Sequence, residues 1–264
     1  MPDSKSSMSA SPHAKPFVHE TLSSKALFFS SHDVQSSMQL MYPDALQFEY
    51  TRLMMGFLLF QPASRSLLMI GLGGGSLAKY CYRHLPDCHI TVVEINPHVI
   101  ALRRAFAVPD DDARFVIIED DAAHYVRTCD AAFDVVLADG FDIDGLPPAL
   151  STPQFYADCR QLLRPAGVFV ANLHRCHPLF EVYVDRMQGA FDVPLLQVND
   201  PGASNCIAFA LPDPAWDFSN RISMRRPEHM LESPWSEILP SVARVFLAFR
   251  ALARSSRTPA LQAR

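Results

Sequence analysis

The chain has 264 residues, of which 49% are hydrophobic, and a formal net charge of −5 at pH 7. This length suits one large domain with small appendages, and scattered basic residues in a slightly acidic chain give no indication of nucleic-acid binding. No apolar run is long enough to span a membrane, and the Ser-rich start lacks the apolar segment of a secretory signal. Six cysteines without a disulfide-like spacing are typical of reduced thiols. We therefore expect a cytoplasmic enzyme that neither spans a membrane nor binds nucleic acid.

Composition and periodicity divide the chain into four zones. Residues 1–15 are rich in Ser and Pro and are expected to form a disordered tail. Residues 16–60 contain short β-like runs and then an apolar helical stretch over 45–60, which predicts a small N-terminal β/helical element. Residues 61–212 form the catalytic core, and residues 213–264 form a helical extension with a frayed end.

In the core, apolar runs alternate with helical segments. This alternation predicts an α/β fold with a doubly wound, mostly parallel sheet. The last two predicted strands follow one another closely, which predicts an antiparallel pair at the end of the sheet. The predicted strands are Ser66–Gly71, His89–Glu94, Arg114–Ile118, Asp134–Ala138, Gly167–Asn172, Leu195–Val198 and Cys206–Ala210.

The most informative segments are LLMIGLGGGS at 67–76 and TVVEIN at 91–96. The first apolar run ends in a turn with glycines at 71, 73, 74 and 75, and the second ends in Glu94. Glycines let the backbone turn tightly and approach a ligand, and an acid about twenty residues later can accept both hydroxyls of a ribose. The spacing departs from the G-x-G-x-x-G of dinucleotide sites. NAD or FAD stays possible, but ligands of the S-adenosylmethionine type, which lack a pyrophosphate, fit better.

Acidic residues follow the third and fourth core strands as well. Glu119-Asp120-Asp121 follows the third strand, and Asp139-Gly140-Phe141-Asp142 follows the fourth. Ligands of such sheets bind outside the carboxyl ends of the strands, so these acids are candidates for the site. Asp120 and Asp121 can also simply cap the next helix, a role that is compatible with ligand binding by one of them.

The span from about Gln39 to Asn172 resembles the spermidine synthase (polyamine aminopropyltransferase) family. The resemblance is carried by IGLGGGS at 70–76, VEIN at 93–96, DDA at 120–122, DGFDIDGL at 139–146 and LSTPQFY at 150–156. It implies an S-adenosylmethionine-methyltransferase-like fold preceded by a small β-element. The implied reaction is aminopropyl transfer from decarboxylated S-adenosylmethionine to an amine, with release of methylthioadenosine and no metal.

The resemblance also implies residue roles. Asp139 would be the general base, and Asp142 would help to hold the amine substrate. The residues implied to hold the nucleoside are Gln39, Gly71, Gly73, Gly75, Glu94, Asp121 and Ala122.

Three departures from the family pattern concern the amine side of the site. The family's acid in the glycine turn falls at Gly74, its tyrosine–histidine pair at Phe48-Glu49, and a closing proline at Leu146. Glu49 could restore one negative charge from another direction. We therefore expect an intact nucleoside half and an altered amine half. Methyl transfer from S-adenosylmethionine, or nucleoside or polyamine binding without turnover, are the alternatives.

Two further features stay open at this point. The segment His174-Arg175-Cys176-His177 could suggest a metal, but adjacent residues in one short loop rarely converge on one ion, so we expect none. His174 is instead a candidate for the amine pocket. The region of Trp216 and Trp235 could pack on the core or form a homodimer contact, and the sequence does not choose between them.

Overall fold

The computed structural model describes residues 13–30, 34–142, 145–202, 204–212, 222 and 224–255. The tail expected to be disordered covers residues 1–15, of which 1–12 lie outside the described residues, as do the expected frayed end beyond 255 and Trp216. Within the described part of this tail, the carbonyl of Ala14 accepts a hydrogen bond from Nδ2 of Asn96 at 2.8 Å.

A three-stranded antiparallel sheet precedes the core, as the sequence predicts. Its strands are β1 (Phe17–Glu20), β2 (Ser24–Phe28) and β3 (Val34–Gln39), paired in the order β1-β2-β3. One of the β-like runs that the sequence shows within 16–60 covers 37–41, and strand β3 begins three residues before it. The first buried position of β3 is Ser36. Because serine is polar, a search for alternating apolar residues does not recognise this position as part of the strand.

The apolar stretch over 45–60 is helical in part. Helix α1 (Glu49–Met54) is followed at once by a 3₁₀ helix (Met55–Leu59). A Cβ at Gly56 would lie 2.7 Å from Cγ2 of Val245 in the C-terminal helix α7 (Glu232–Ser255). This close backbone contact shows that α7 packs directly on the segment that leads into the core.

The core is a seven-stranded sheet in the order β6-β5-β4-β7-β8-β10-β9, in which β10 alone runs antiparallel to its neighbours. The predicted doubly wound, mostly parallel sheet with an antiparallel strand near its end is confirmed. Its strands are β4 (Ser66–Ile70), β5 (His89–Glu94), β6 (Phe115–Glu119), β7 (Phe133–Ala138), β8 (Leu163–His174), β9 (Leu196–Asn199) and β10 (Asn205–Ala210). The helices between them are α2 (Ser76–His84), α3 (Pro97–Ala101), α4 (Ala122–Thr128), α5 (Pro153–Gln161) and α6 (Phe180–Phe191).

Apolar side chains fill both faces of this sheet. Along β4, Leu67 and Met69 face the layer that contains α7, whereas Leu68 and Ile70 face the layer of α5 and α6. Trp235 is 5% exposed and belongs to the first layer, so it packs on the core. No helix among the described residues is long and apolar enough to cross a membrane.

Candidate active site

The glycine turn after β4 lies at the carboxyl edge of the sheet and borders a narrow pocket. Gly71 has a φ of 92°, and a Cβ there would lie 2.4 Å from the carbonyl oxygen of Asp139. Glycine is required here because the turn leaves β4 in a left-handed conformation against the end of β7. Gly73 and Gly74 line the same pocket, and Gly75 begins α2.

Glu94 supports this turn from the neighbouring strand. Its carboxylate accepts hydrogen bonds from the backbone N–H groups of Leu72 (2.8 Å) and Asn96 (2.9 Å). Burial raises the pKa of Glu94, and these backbone donors partly oppose the increase. The Glu94 carboxylate therefore fixes the turn and the end of β5 together.

Asp121 is the N-cap of α4, where it accepts a hydrogen bond from the N–H of Ala123 at 2.8 Å. Asp120 instead contacts the exposed His124, whose Nδ1 lies 2.9 Å from Oδ2. Ala122 is buried at the start of the helix. Asp121 and Ala122 lie at the same sheet edge as the turn, two strands away, and their assignment to the adenine stays a prediction.

Asp139 follows β7 and has two side-chain partners. The amide Nδ2 of Asn172 donates to Oδ1 at 2.9 Å, and the hydroxyl of Tyr50 donates to Oδ2 at 3.3 Å. Desolvation raises the pKa of Asp139 to about 6, against the lowering effect of these two hydrogen bonds. The pKa of this carboxyl group is thus close to neutral pH, where a carboxylate can act as a proton acceptor.

Sequence reasoning missed Tyr50. The comparison of motifs placed the family's phenol at position 48, where this chain has Phe. In the structure Phe48 stacks on Tyr50 with 5.9 Å between ring centroids, and it is Tyr50 that contacts Asp139. A phenol therefore lies at Asp139, two residues after the position that motif spacing suggested.

A second glutamine of β3 lies closer to the glycine turn than Gln39 does. Gln39 is exposed at the end of β3, whereas Gln35 lines the narrow pocket. The two side chains share one face of the strand, but four residues of strand separate them by about 13 Å. The assignment of Gln39 to the nucleoside stays a prediction, and Gln35 is a further candidate.

Position 74 has no room for the acid that the family carries there. A Cβ on Gly74 would lie 2.5 Å from the hydroxyl oxygen of Ser36 and 3.0 Å from the ring of Phe106. The side chain of Ser36, which lies 3.3 Å from the hydroxyl of Ser76, takes up this space. Gly74 therefore lines the nucleoside pocket but offers no side chain to a substrate.

An open cleft of about 680 Å³ adjoins the narrow pocket, and Asp139 and Tyr50 border both. The cleft contains the predicted residues Asp142 and His174, and the ring of His174 stacks on Phe141 at 4.2 Å. Asp200, on the turn between β9 and β10, lies at its far wall and was not singled out from the sequence.

Glu49 lines this cleft as well, but its carboxylate has partners of its own. Oε1 accepts from the hydroxyl of Ser241 at 2.6 Å, and Oε2 forms an ion pair with Arg52 at 3.4 Å. Because Arg52 offsets its charge, Glu49 is a weaker candidate for an ammonium than the sequence suggested.

Asn172 is the second residue that sequence reasoning missed. Its side chain is 3% exposed, and Oδ1 is buried without a hydrogen-bond partner among the described residues. A buried carbonyl oxygen without a partner costs about 1–3 kcal/mol. The unused acceptor beside Asp139 is suited to a ligand that brings N–H donors into the cleft.

The arrangement joins a nucleoside-type pocket to a cleft with carboxylates and aromatic rings, which can bind a cation next to a proton acceptor. No group of three or more potential ligands for a metal ion occurs within the described parts of the chain. The fold and the site define an α/β protein of the S-adenosylmethionine-methyltransferase-like class.

Comparison with known sequences identifies the family. Residues 47–191 match the spermine/spermidine synthase domain. A polyamine aminopropyltransferase of Chromobacterium violaceum is 39% identical over 175 residues, which cover 66% of this chain and 67% of the relative. One from Neisseria meningitidis serogroup A is 38% identical over 188 residues, covering 70% and 72%. The chain belongs to the spermine/spermidine synthase family, and the protein is a transferase.

Solved structures agree on the fold. A probable spermidine synthase from Corynebacterium glutamicum has a TM-score of 0.65 at 22% identity and covers 76% of this chain and 81% of its own. A spermidine synthase in complex with the transition-state analogue AdoDATO has a TM-score of 0.58 at 19% identity, covering 90% and 89%. Human methyltransferase-like protein 13 also has a TM-score of 0.58, at 24% identity over 77% of this chain and 93% of its own.

Proposed function

We propose that this enzyme transfers the aminopropyl group of decarboxylated S-adenosylmethionine to a polyamine acceptor, with release of methylthioadenosine. The observation that carries the proposal is the position of Asp139. Its carboxylate borders both the narrow pocket beside the glycine turn and the open cleft, so it stands where donor and acceptor would meet.

Glu94 and the glycine turn would hold the nucleoside. The carboxylate of Glu94 is already oriented by two backbone N–H groups, so it can accept the ribose hydroxyls without reorganisation. Gln35 would contribute a polar contact from β3. Asp121 and Ala122 would approach the adenine from the end of β6.

The charge in the pocket favours a donor without a carboxylate. Asp139 is the single charged side chain among the described residues that line the narrow pocket. The tail of S-adenosylmethionine would bring a second carboxylate towards it, which is unfavourable, whereas the decarboxylated donor brings only an ammonium. The same argument weighs against methyl transfer from S-adenosylmethionine.

Asp139 would act as the base. The free amine of the acceptor attacks the methylene carbon attached to the sulfonium, the carbon–sulfur bond breaks, and its electron pair neutralises the sulfur. The proton of the attacking nitrogen passes to the carboxylate of Asp139. Tyr50 and Asn172 hold the carboxylate in place, and Oδ1 of Asn172 is free to accept a second N–H of the amine. Alignment of the two reactants supplies further acceleration.

Product analysis tests the proposal. The purified protein is incubated with a polyamine mixture and either decarboxylated S-adenosylmethionine or S-adenosylmethionine, and the nucleoside products are separated. We expect methylthioadenosine from the first donor and no S-adenosylhomocysteine from the second. S-adenosylhomocysteine as the main product would establish a methyltransferase, and nucleoside binding without either product would establish a binding protein.

The compartment is part of the proposal. The six cysteines are free in the structure, which supports a cytoplasmic enzyme. Recovery of the native protein in an oxidised extracellular fraction would contradict this location.

A further inference from the structure

The far wall of the open cleft has an acid that the reaction described above does not use. Asp200 follows β9, and its N–H donates to the carbonyl of Asn205 at 3.0 Å, which closes the turn to β10. The preceding carbonyl, of Asn199, accepts a hydrogen bond from Arg244 in α7 at 3.1 Å. The turn is thus anchored to the C-terminal helix, and Asp200 has a defined position at the cleft.

The carboxylate of Asp200 is held by neutral donors. Its hydrogen bonds come from the N–H of Asn205 (3.2 Å), the amide of Asn205 (3.4 Å) and the hydroxyl of Ser204 (3.1 Å). All of these donors are neutral. They orient the carboxylate but do not offset its charge, in contrast to Arg52 at Glu49.

A second side chain that lines the same cleft has an unused hydrogen-bond acceptor. The buried Oδ1 of Asn172 lacks a partner among the described residues, and it lies beside Asp139 at the opposite end of the cleft from Asp200. An amine whose nitrogen donates hydrogen bonds to Asn172 and Asp139 would extend from these two residues along the sheet edge towards Asp200.

The sheet order sets the span between the two acids. Asp139 follows β7 and Asp200 follows β9, and in the order β7-β8-β10-β9 three strand spacings place their main chains about 14 Å apart. Both side chains line the cleft, so each carboxylate, with a hydrogen bond of about 2.8 Å at each end, takes up part of this separation. The nitrogens of extended butane-1,4-diamine, about 6 Å apart, and the outer nitrogens of spermidine, about 11 Å apart, therefore both fall within reach of the two acids.

We propose that Asp200 binds the remote ammonium of a diamine or polyamine acceptor whose reacting nitrogen lies at Asp139. This assignment rests on the proposed function and adds the residue that recognises the far end of the acceptor. Asp200 is a specificity residue, since it acts at the end of the acceptor that does not react.

Calorimetric binding tests the assignment without requiring turnover. The protein with bound methylthioadenosine is titrated with spermidine, butane-1,4-diamine and n-butylamine, in the wild type and in Asp200→Asn, which keeps an acceptor but removes the charge. Asp185→Asn, on the exposed side of α6, is the matched control. We expect Asp200→Asn to weaken spermidine binding about 10-fold or more, with little change for n-butylamine, and Asp185→Asn to match the wild type.

Two results would overturn the assignment: unchanged spermidine affinity in Asp200→Asn, or an equal loss for n-butylamine, which has no remote ammonium. A wild-type protein that does not bind spermidine would overturn it too. Failure of the proposed function would give a different result. In that case no donor would yield methylthioadenosine, but spermidine would still bind and its affinity would still depend on Asp200.

Discussion

Replacing Asp139 by Asn should abolish transfer and at the same time stabilise the ligand-free protein. The carboxyl group has its pKa raised from 3.8 to about 6 by desolvation, which means that ionising it in the folded protein is unfavourable. A shift of this size corresponds to about 3 kcal/mol, and access of water from the cleft lowers the effective cost to about 2–3 kcal/mol. Asn carries no charge and avoids this cost.

The sign of the pH dependence follows from the raised pKa. The folded protein binds the proton more tightly than the unfolded chain, so the wild type loses stability as pH rises from about 4 to about 6, and the loss is complete above that. The stability gain of Asp139→Asn should therefore be about 2–3 kcal/mol at pH 7.5 and about half of that at pH 5.

Urea unfolding at these two pH values measures the difference, with Asp185→Asn as an exposed control that should show no such change. A gain of equal size at both pH values, or a loss of stability in Asp139→Asn, would refute the view that this carboxyl group is held in an unfavourable ionised state.

Four other variants test the remaining parts of the site. Tyr50→Phe removes a hydrogen bond that lowers the pKa of Asp139, so the acidic limb of the pH–rate profile should move to higher pH, and an unmoved limb would refute the contact. Glu94→Ala should weaken methylthioadenosine binding by about 1–3 kcal/mol in calorimetry, and an unchanged dissociation constant would remove Glu94 from the site. Gln35→Ala should also weaken methylthioadenosine binding, whereas Gln39→Ala, at the exposed end of the strand, should not. The reverse result would identify Gln39 as the glutamine that contacts the nucleoside.

The fold could be predicted from the sequence because its signals are local. Apolar runs of strand length that end in glycine or acid mark β4 and β5, and the alternation with helices fixes a parallel sheet. The residues that lie directly at strand ends, Glu94 and Asp139, were found for the same reason. Their position at the sheet edge follows from the strand that precedes them.

The acceptor side could not be predicted because it is assembled from distant segments. Tyr50 reaches Asp139 across 89 positions of chain, and this depends on the length of the loop before α1, which motif spacing does not give. Gln35 was hidden because β3 buries Ser36 rather than an apolar residue. Asn172 and Asp200 carry no local pattern, and only the pairing of β8 with β10 and of β10 with β9 brings their strands together.

The most direct test of the central claim is the rate of methylthioadenosine formation from decarboxylated S-adenosylmethionine and a polyamine between pH 5 and 8. We expect the wild type to lose activity as pH falls through about 6, where the carboxylate of Asp139 takes up a proton, and Asp139→Asn to form no product at any pH. Methylthioadenosine formed by Asp139→Asn at the wild-type rate would contradict the assignment of Asp139 as the base.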